Sequence, residues 1–126
     1  MEYYWCMKIN EIAFVCYPVD DVKRARAFYE GVLGLVPGKV SEGKGYAFIE
    51  YYMGAHTLAI GHGAPNFKTG KTGATVALEV ADFDQAIKEL KKAKVTFLMD
   101  CHDSSVCKMA LIADPEGNQI MIHRRK

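Results

Sequence analysis

No stretch of this sequence approaches the roughly 20 consecutive apolar residues that a membrane-spanning helix needs, so neither a helical anchor nor a membrane partner is expected. Charge of one sign is lacking too: 16 basic residues face 15 acidic ones, for a formal net charge of +1. Divided at Gly63, the first half holds 6 basic and 7 acidic residues and the second 10 and 8. Neither half has the polybasic face that binds a phosphate backbone, so nucleic acid is not an expected partner.

Cysteines are few, and Cys6, Cys16, Cys101 and Cys107 show no Cys-x-x-Cys spacing. The opening Met1–Cys6 has neither a basic start nor a long apolar core, so it does not read as a secretion signal. Together these features point to reduced thiols and a cytoplasmic protein. Also missing are a glycine-rich phosphate loop, a Ser/His/Asp order and a defensible Cys/His pair. Gly43-Lys44-Gly45 and Gly70-Lys71 read first as turns.

What is present is ordinary globular composition: half the 126 residues are hydrophobic and a quarter charged, enough for one domain with a buried core. Within it lies a repeat. A β-rich run, Ala13–Val19, leads through Asp20-Asp21 into a helical stripe of Val22, Ala25, Tyr29, Val32 and Leu33. The pattern recurs 61 residues later, with the strand Thr75–Val80, the cap Asp82 and the stripe Phe83, Ala86, Ile87 and Leu90. Val19 matches Val80, Asp21 matches Asp82 and Ala25 matches Ala86 at this one offset. Three strands are expected after each helix: about 36–40, 46–52 and 56–61, then 95–99, 106–112 and 119–123. The expected fold class is therefore α+β, with two βαβββ modules curling antiparallel-rich sheets around a cleft. The expected divisions are a lead-in over 1–11, modules over 12–62 and 74–126, and a glycine-containing connector over 63–73. Residues 1–6 are read equally well as an extension outside the fold or as a short aromatic strand.

At this point the residues resemble those of a known family. Val19-Asp20-Asp21-Val22, Ala25-Arg26-Ala27-Phe28-Tyr29 and Leu33-Gly34-Leu35, with the later turn Asp114-Pro115-Glu116-Gly117-Asn118, look like the motifs of the glyoxalase/bleomycin-resistance/extradiol dioxygenase (vicinal oxygen chelate) family. The match runs from about Ile12 to His123. The resemblance implies a paired βαβββ fold, usually dimeric, and in its metalloenzymes a divalent ion held by His and Glu side chains, one on each of four strands. Carried over one at a time, those four positions fall on Phe14, Ala59, Thr75 and Met121. None offers a carboxylate or an imidazole, so no family-type metal and no cofactor is expected.

With Phe14 facing the cleft, strand alternation also turns Cys16, Thr57, Ala59, Thr75, Ala77, Glu79, Gln119, Met121 and His123 inward. His56 and His62 fall on the opposite face from Ala59, and His102 falls in an expected loop. The ligand-binding candidates are Phe14, Cys16, Thr57, Ala59, Thr75, Met121 and His123, forming an amphipathic pocket suited to a small, partly aromatic molecule. Tyr46, Phe48 and Tyr52 either stack on a ligand or close the cleft as core. Glu50, Glu79 and His123 are the acid–base candidates; a glutamate buried beside Phe14 or Met121 would have a raised pKa, whereas a strand-end glutamate on solvent is the commoner case. These features lead to a metal-free protein that sequesters an aromatic or amphipathic compound. The alternatives are a glyoxalase-like lyase or isomerase, a dioxygenase relative, or a metabolite-sensing interaction module.

Overall fold

The computed structural model describes residues 12–64, 68–70, 74–105 and 107–126. The reading of residues 1–6 falls outside this set. In the first half, β1 (Val15–Pro18) is followed by α1 (Val22–Arg26) and a π-helical turn (Ala27–Val32). Three strands then follow: β2 (Pro37–Gly43), β3 (Tyr46–Met53) and β4 (His56–His62). The second half repeats the order with β5 (Val76–Glu79), α2 (Phe83–Lys92), β6 (Thr96–Asp103), β7 (Cys107–Ala113) and β8 (Gln119–Arg125). Each half folds into a four-stranded sheet, β1-β4-β3-β2 and β5-β8-β7-β6. The edge strands β1 and β5 run parallel to β4 and β8, and the remaining pairs are antiparallel.

Both helices begin where a carboxylate can take up an orphan backbone N–H. Asp21 accepts from Arg24 N at 3.0 Å, and Asp82 from Gln85 N at 3.1 Å. The expected single helix over 22–33 instead changes pitch at Ala27, and Leu33 N bonds five residues back to Phe28 O. This wider turn buries both Phe28 and Tyr29, and Gly34 ends it at φ 73°.

One face of each sheet packs on its helix. Tyr17, Ile49, Tyr51, Leu58 and Ile60 from the first sheet share a core with Ala110, Ile112, Ile120 and Ile122 from the second. The halves are also joined by a buried polar network. Tyr17 Oη donates to Gln119 O at 2.6 Å and accepts from Val76 N at 2.8 Å. Tyr29 Oη donates to Asp114 at 3.0 Å, and Asn118 Nδ2 donates to Pro18 O at 2.7 Å and to Asp114 at 2.8 Å. Asp114 Oδ1 also takes the N–H groups of Glu116 and Asn118, which fixes the turn, and Gly117 adopts φ 86° within it. The backbone N–H groups of Asp20 and Asp21 both donate to the Glu116 carboxylate. The Asp-Pro-Glu-Gly-Asn turn thus docks the second half onto the start of α1.

Candidate functional site

The opposite faces of the two sheets carry the candidate residues. In the first sheet Cys16 pairs with Ala59 and Ala59 with Glu50, while Thr57 pairs with Tyr52. Neighbours in a ladder project to the same side, so these five residues share the face turned away from α1. Phe14 lies just before β1, 46% exposed, and its ring meets that of Phe48 edge-on at 5.4 Å. Tyr52 lies over the β2 backbone at Gly38, where an added Cβ would stand 2.0 Å from its ring. Ala59 is fully buried. Burial pushes the Cys16 thiol up to about 11, so it stays protonated and unreactive at neutral pH. Tyr51 faces the other way, into the core, and donates to Glu30 at 2.9 Å.

In the second sheet two complete cross-strand rows form the corresponding face. One row is Met99–Leu111–Met121–Ala77 and the next is His102–Met109–His123–Glu79. Three thioethers, Met99, Met109 and Met121, therefore lie around Leu111, with two imidazoles and a carboxylate in the same two rows. Thr75 sits at one end, its hydroxyl accepting from Gln119 Nε2 at 2.9 Å. His123 Nδ1 is 2.6 Å from Glu79 Oε1, and Arg125 N donates to Glu79 Oε2 at 2.7 Å.

Glu79 is exposed, and the Arg125 backbone N–H, and then His123, hold it below the ordinary carboxylate value, so the raised pKa that burial would bring does not arise. One expectation is corrected. His102 lies in β6 rather than in a loop, because β6 runs on to Asp103 through two register shifts. Met99 was missed in the sequence because those shifts reset the alternation of β6, and its pairing with Leu111 reveals its side; Met109, on the regularly paired β7, is placed by its pairing with His123. His62 lies on the helix side, as alternation requires, with Nδ1 2.8 Å from Val19 O. His56 pairs with Met53 at the far end of β4 and is exposed.

At the four positions that the family resemblance assigns to metal ligands, Phe14, Ala59, Thr75 and Met121, the donor set does not fit a hard divalent ion. A phenyl, a methyl and a thioether supply no oxygen or nitrogen, and the Thr75 hydroxyl is already bonded. Among the described residues, no group of three or more His, Cys, Asp or Glu side chains is arranged to hold a metal.

A cavity of about 490 Å³ runs along the free edge of β5 between the two halves. It is lined by Thr57, Leu58 and Val15 on one side and by Val76–Glu79 and Arg125 on the other. Thr57 and Glu79 are the candidates that reach it; Phe14, Cys16, Ala59, Thr75, Met121 and His123 do not line it. A larger cavity of about 620 Å³ lies on the helix side, beside Lys23, Arg26, Glu42, Tyr46 and His62. Within it Arg26 pairs with Glu42 at 3.4 Å, and Arg26 also pairs with Glu30 at 2.6 Å. No helix among the described residues is long and apolar enough to cross a membrane.

Two βαβββ units, each with a four-stranded sheet of the same strand order, define a duplicated α+β fold. The chain belongs to the Glyoxalase/Bleomycin resistance protein/Dioxygenase superfamily, whose family model matches residues 8–122. Among curated proteins, none matches the sequence significantly. The structure is similar to that of TnmS3, an antibiotic binding protein from Streptomyces sp. CB03234, with a TM-score of 0.82 and 20% identity over 96% of this chain and 100% of that one. A glyoxalase/bleomycin resistance protein from the same strain aligns with a TM-score of 0.74 and 20% identity, covering 89% and 98% of the two chains. A glyoxalase family protein from Bacillus anthracis gives 0.76 and 23%, covering 97% and 100%. At these identities the likeness establishes the fold.

Proposed function

We propose that this protein binds and sequesters a small aromatic or amphipathic compound on its paired sheet faces, without a divalent metal. What supports this reading is the chemistry at the positions that the family resemblance assigns to metal ligands: Phe14, Ala59, Thr75 and Met121 carry no carboxylate or imidazole, and the nearby faces hold aromatic rings and thioethers. Such surfaces are polarizable and largely apolar, with few polar groups to fix orientation. The antibiotic-binding function of TnmS3, a structurally similar protein, lends support by analogy. Phe14, Cys16, Thr57 and Ala59 would contact the ligand from the first sheet, and Thr75, Met121 and His123 from the second. Two copies of the chain would bring the first-sheet face of one against the second-sheet face of the other, so the working unit is a homodimer of one-domain chains.

A second reading, a metal-free lyase or isomerase, is favoured by the short Glu79–His123 contact, which places a carboxylate-backed imidazole on the same face. Elemental analysis of protein purified without a metal-affinity step tests the first reading. Its expected outcome is less than stoichiometric zinc, nickel, manganese and iron; a tightly held equivalent of any of them contradicts it. A thermal-shift screen against aromatic compounds and glutathione hemithioacetal analogues then separates binding of the two ligand classes.

A further inference from the structure

Ionised Glu79 can only accept, so His123 Nδ1 must be the donor in their 2.6 Å contact. The second Glu79 oxygen is taken by Arg125 N at 2.7 Å, which fixes the carboxylate from the other side. The tautomer is then set, and Nε2 is the one polar atom of the ring left for an incoming group. His123 is not fully buried, and no buried side-chain nitrogen or oxygen among the described residues lacks a partner. Nε2, which has no bond among the described residues, therefore opens to solvent. Its surroundings on the face are Met109 from β7, Met121 two residues back on β8, and His102 across Met109 on β6. The charged or titratable groups around this pair are Glu79 from β5, Arg125 from β8, His102 from β6 and Cys107, which pairs with Arg125, from β7, together with Arg124, whose guanidinium comes within 3.9 Å of Glu79 Oε2.

We infer that the compound held on this face carries an acidic aromatic hydroxyl, which His123 Nε2 recognises while the thioethers of Met109 and Met121 support the ring. This rests on the small-molecule reading above and names the ligand class that the face selects. On binding, the hydroxyl O–H bond lengthens toward Nε2. For a sufficiently acidic phenol the proton moves across: the O–H bond breaks, an Nε2–H bond forms, and the phenolate faces an imidazolium. Nδ1–H continues to donate to Glu79, whose negative charge stabilises the new cation. Nothing is oxidised or reduced. A ring bearing an ether in place of the hydroxyl leaves Nε2 without its partner and binds less well.

The test uses the full chain and two probes of the same shape, 4-nitrophenol and 4-nitroanisole. The account expects 4-nitrophenol to bind about tenfold more tightly than the ether, the size of one charge-assisted hydrogen bond. At a pH where free 4-nitrophenol is mostly neutral, the bound form shows the red-shifted phenolate absorption band. His123→Gln, which keeps a polar side chain of similar reach, abolishes the band and brings the two affinities together. Glu79→Gln weakens the band while keeping the acceptor for Nδ1. Equal affinities with no phenolate band overturn the ligand class but leave the small-molecule reading standing. No binding of either probe, or of any aromatic compound, overturns both. A band that persists in His123→Gln overturns the assignment to His123.

Discussion

Tyr29 shows what single residues do here. Its ring is fully buried, its hydroxyl meets Asp114 at 3.0 Å, and burial together with the nearby carboxylate pushes its ionisation well above the usual phenol range. Replacing it with Phe removes the donor and leaves Asp114 Oδ2 with only Asn118 Nδ2. We expect Tyr29→Phe to lower unfolding free energy by about 1–2 kcal/mol, read as a reduced urea midpoint with unchanged slope. The cysteines offer a second residue-scale check. Cys16 is partly buried with its thiol pushed up to about 11, whereas Cys101 is exposed. Iodoacetamide at mildly alkaline pH should modify Cys101 first and leave Cys16 largely intact, as read by peptide mass mapping. Equal labelling would show that Cys16 is neither shielded nor raised. The sequence placed Cys16, Ala59 and Met121 on their faces because β1, β4 and β8 alternate regularly. It could not show what holds Glu79 ionised, since both groups, the Arg125 N–H and His123, arrive from the neighbouring strand.

At the level of elements, the helix starts and the Asp-Pro-Glu-Gly-Asn turn were legible because capping and turn residues act locally. The π-helical turn was not. Its hydrogen-bond pattern depends on Tyr29 and Phe28 both reaching the core, which is a tertiary demand. That turn also positions Glu30, which bonds Arg26 Nε at 2.6 Å and accepts from Tyr51 Oη at 2.9 Å. The Arg26 guanidinium, and then the Tyr51 hydroxyl, hold the Glu30 carboxyl below its ordinary value of 4.5. A lowered carboxylate contributes stability that is fully present above 4.5 and fades as the pH falls through the lowered value. Glu30→Gln should therefore cost stability at neutral pH and show a shallower loss on acidification than the wild type. Parallel acid limbs, compared by denaturant titration at several pH values, would contradict this role. The strand shifts in β6 are the other illegible element, because a bulge is set by its partner strand rather than by its own residues.

For the molecule as a whole, duplication was the most informative signal. The 61-residue offset implied two like units, and the structure returns the same strand order in each. The sequence did not show how the units meet. Tyr17 and Tyr29 from the first bond to Gln119 and Asp114 in the second, so motifs far apart in the chain are partners in one joint. The same joint aligns the open edge of β5 with Thr57 and Val15 around the 490 Å³ cavity. The sheet faces remain stocked with rings and thioethers instead of hard donors, and this is the central claim about function. Isothermal titration of chelator-dialysed protein with 4-nitrophenol, repeated after adding back zinc or nickel, tests it most directly. The account predicts a saturable isotherm in the metal-free protein that the added ion leaves unchanged; binding that develops only once the ion is restored would contradict it.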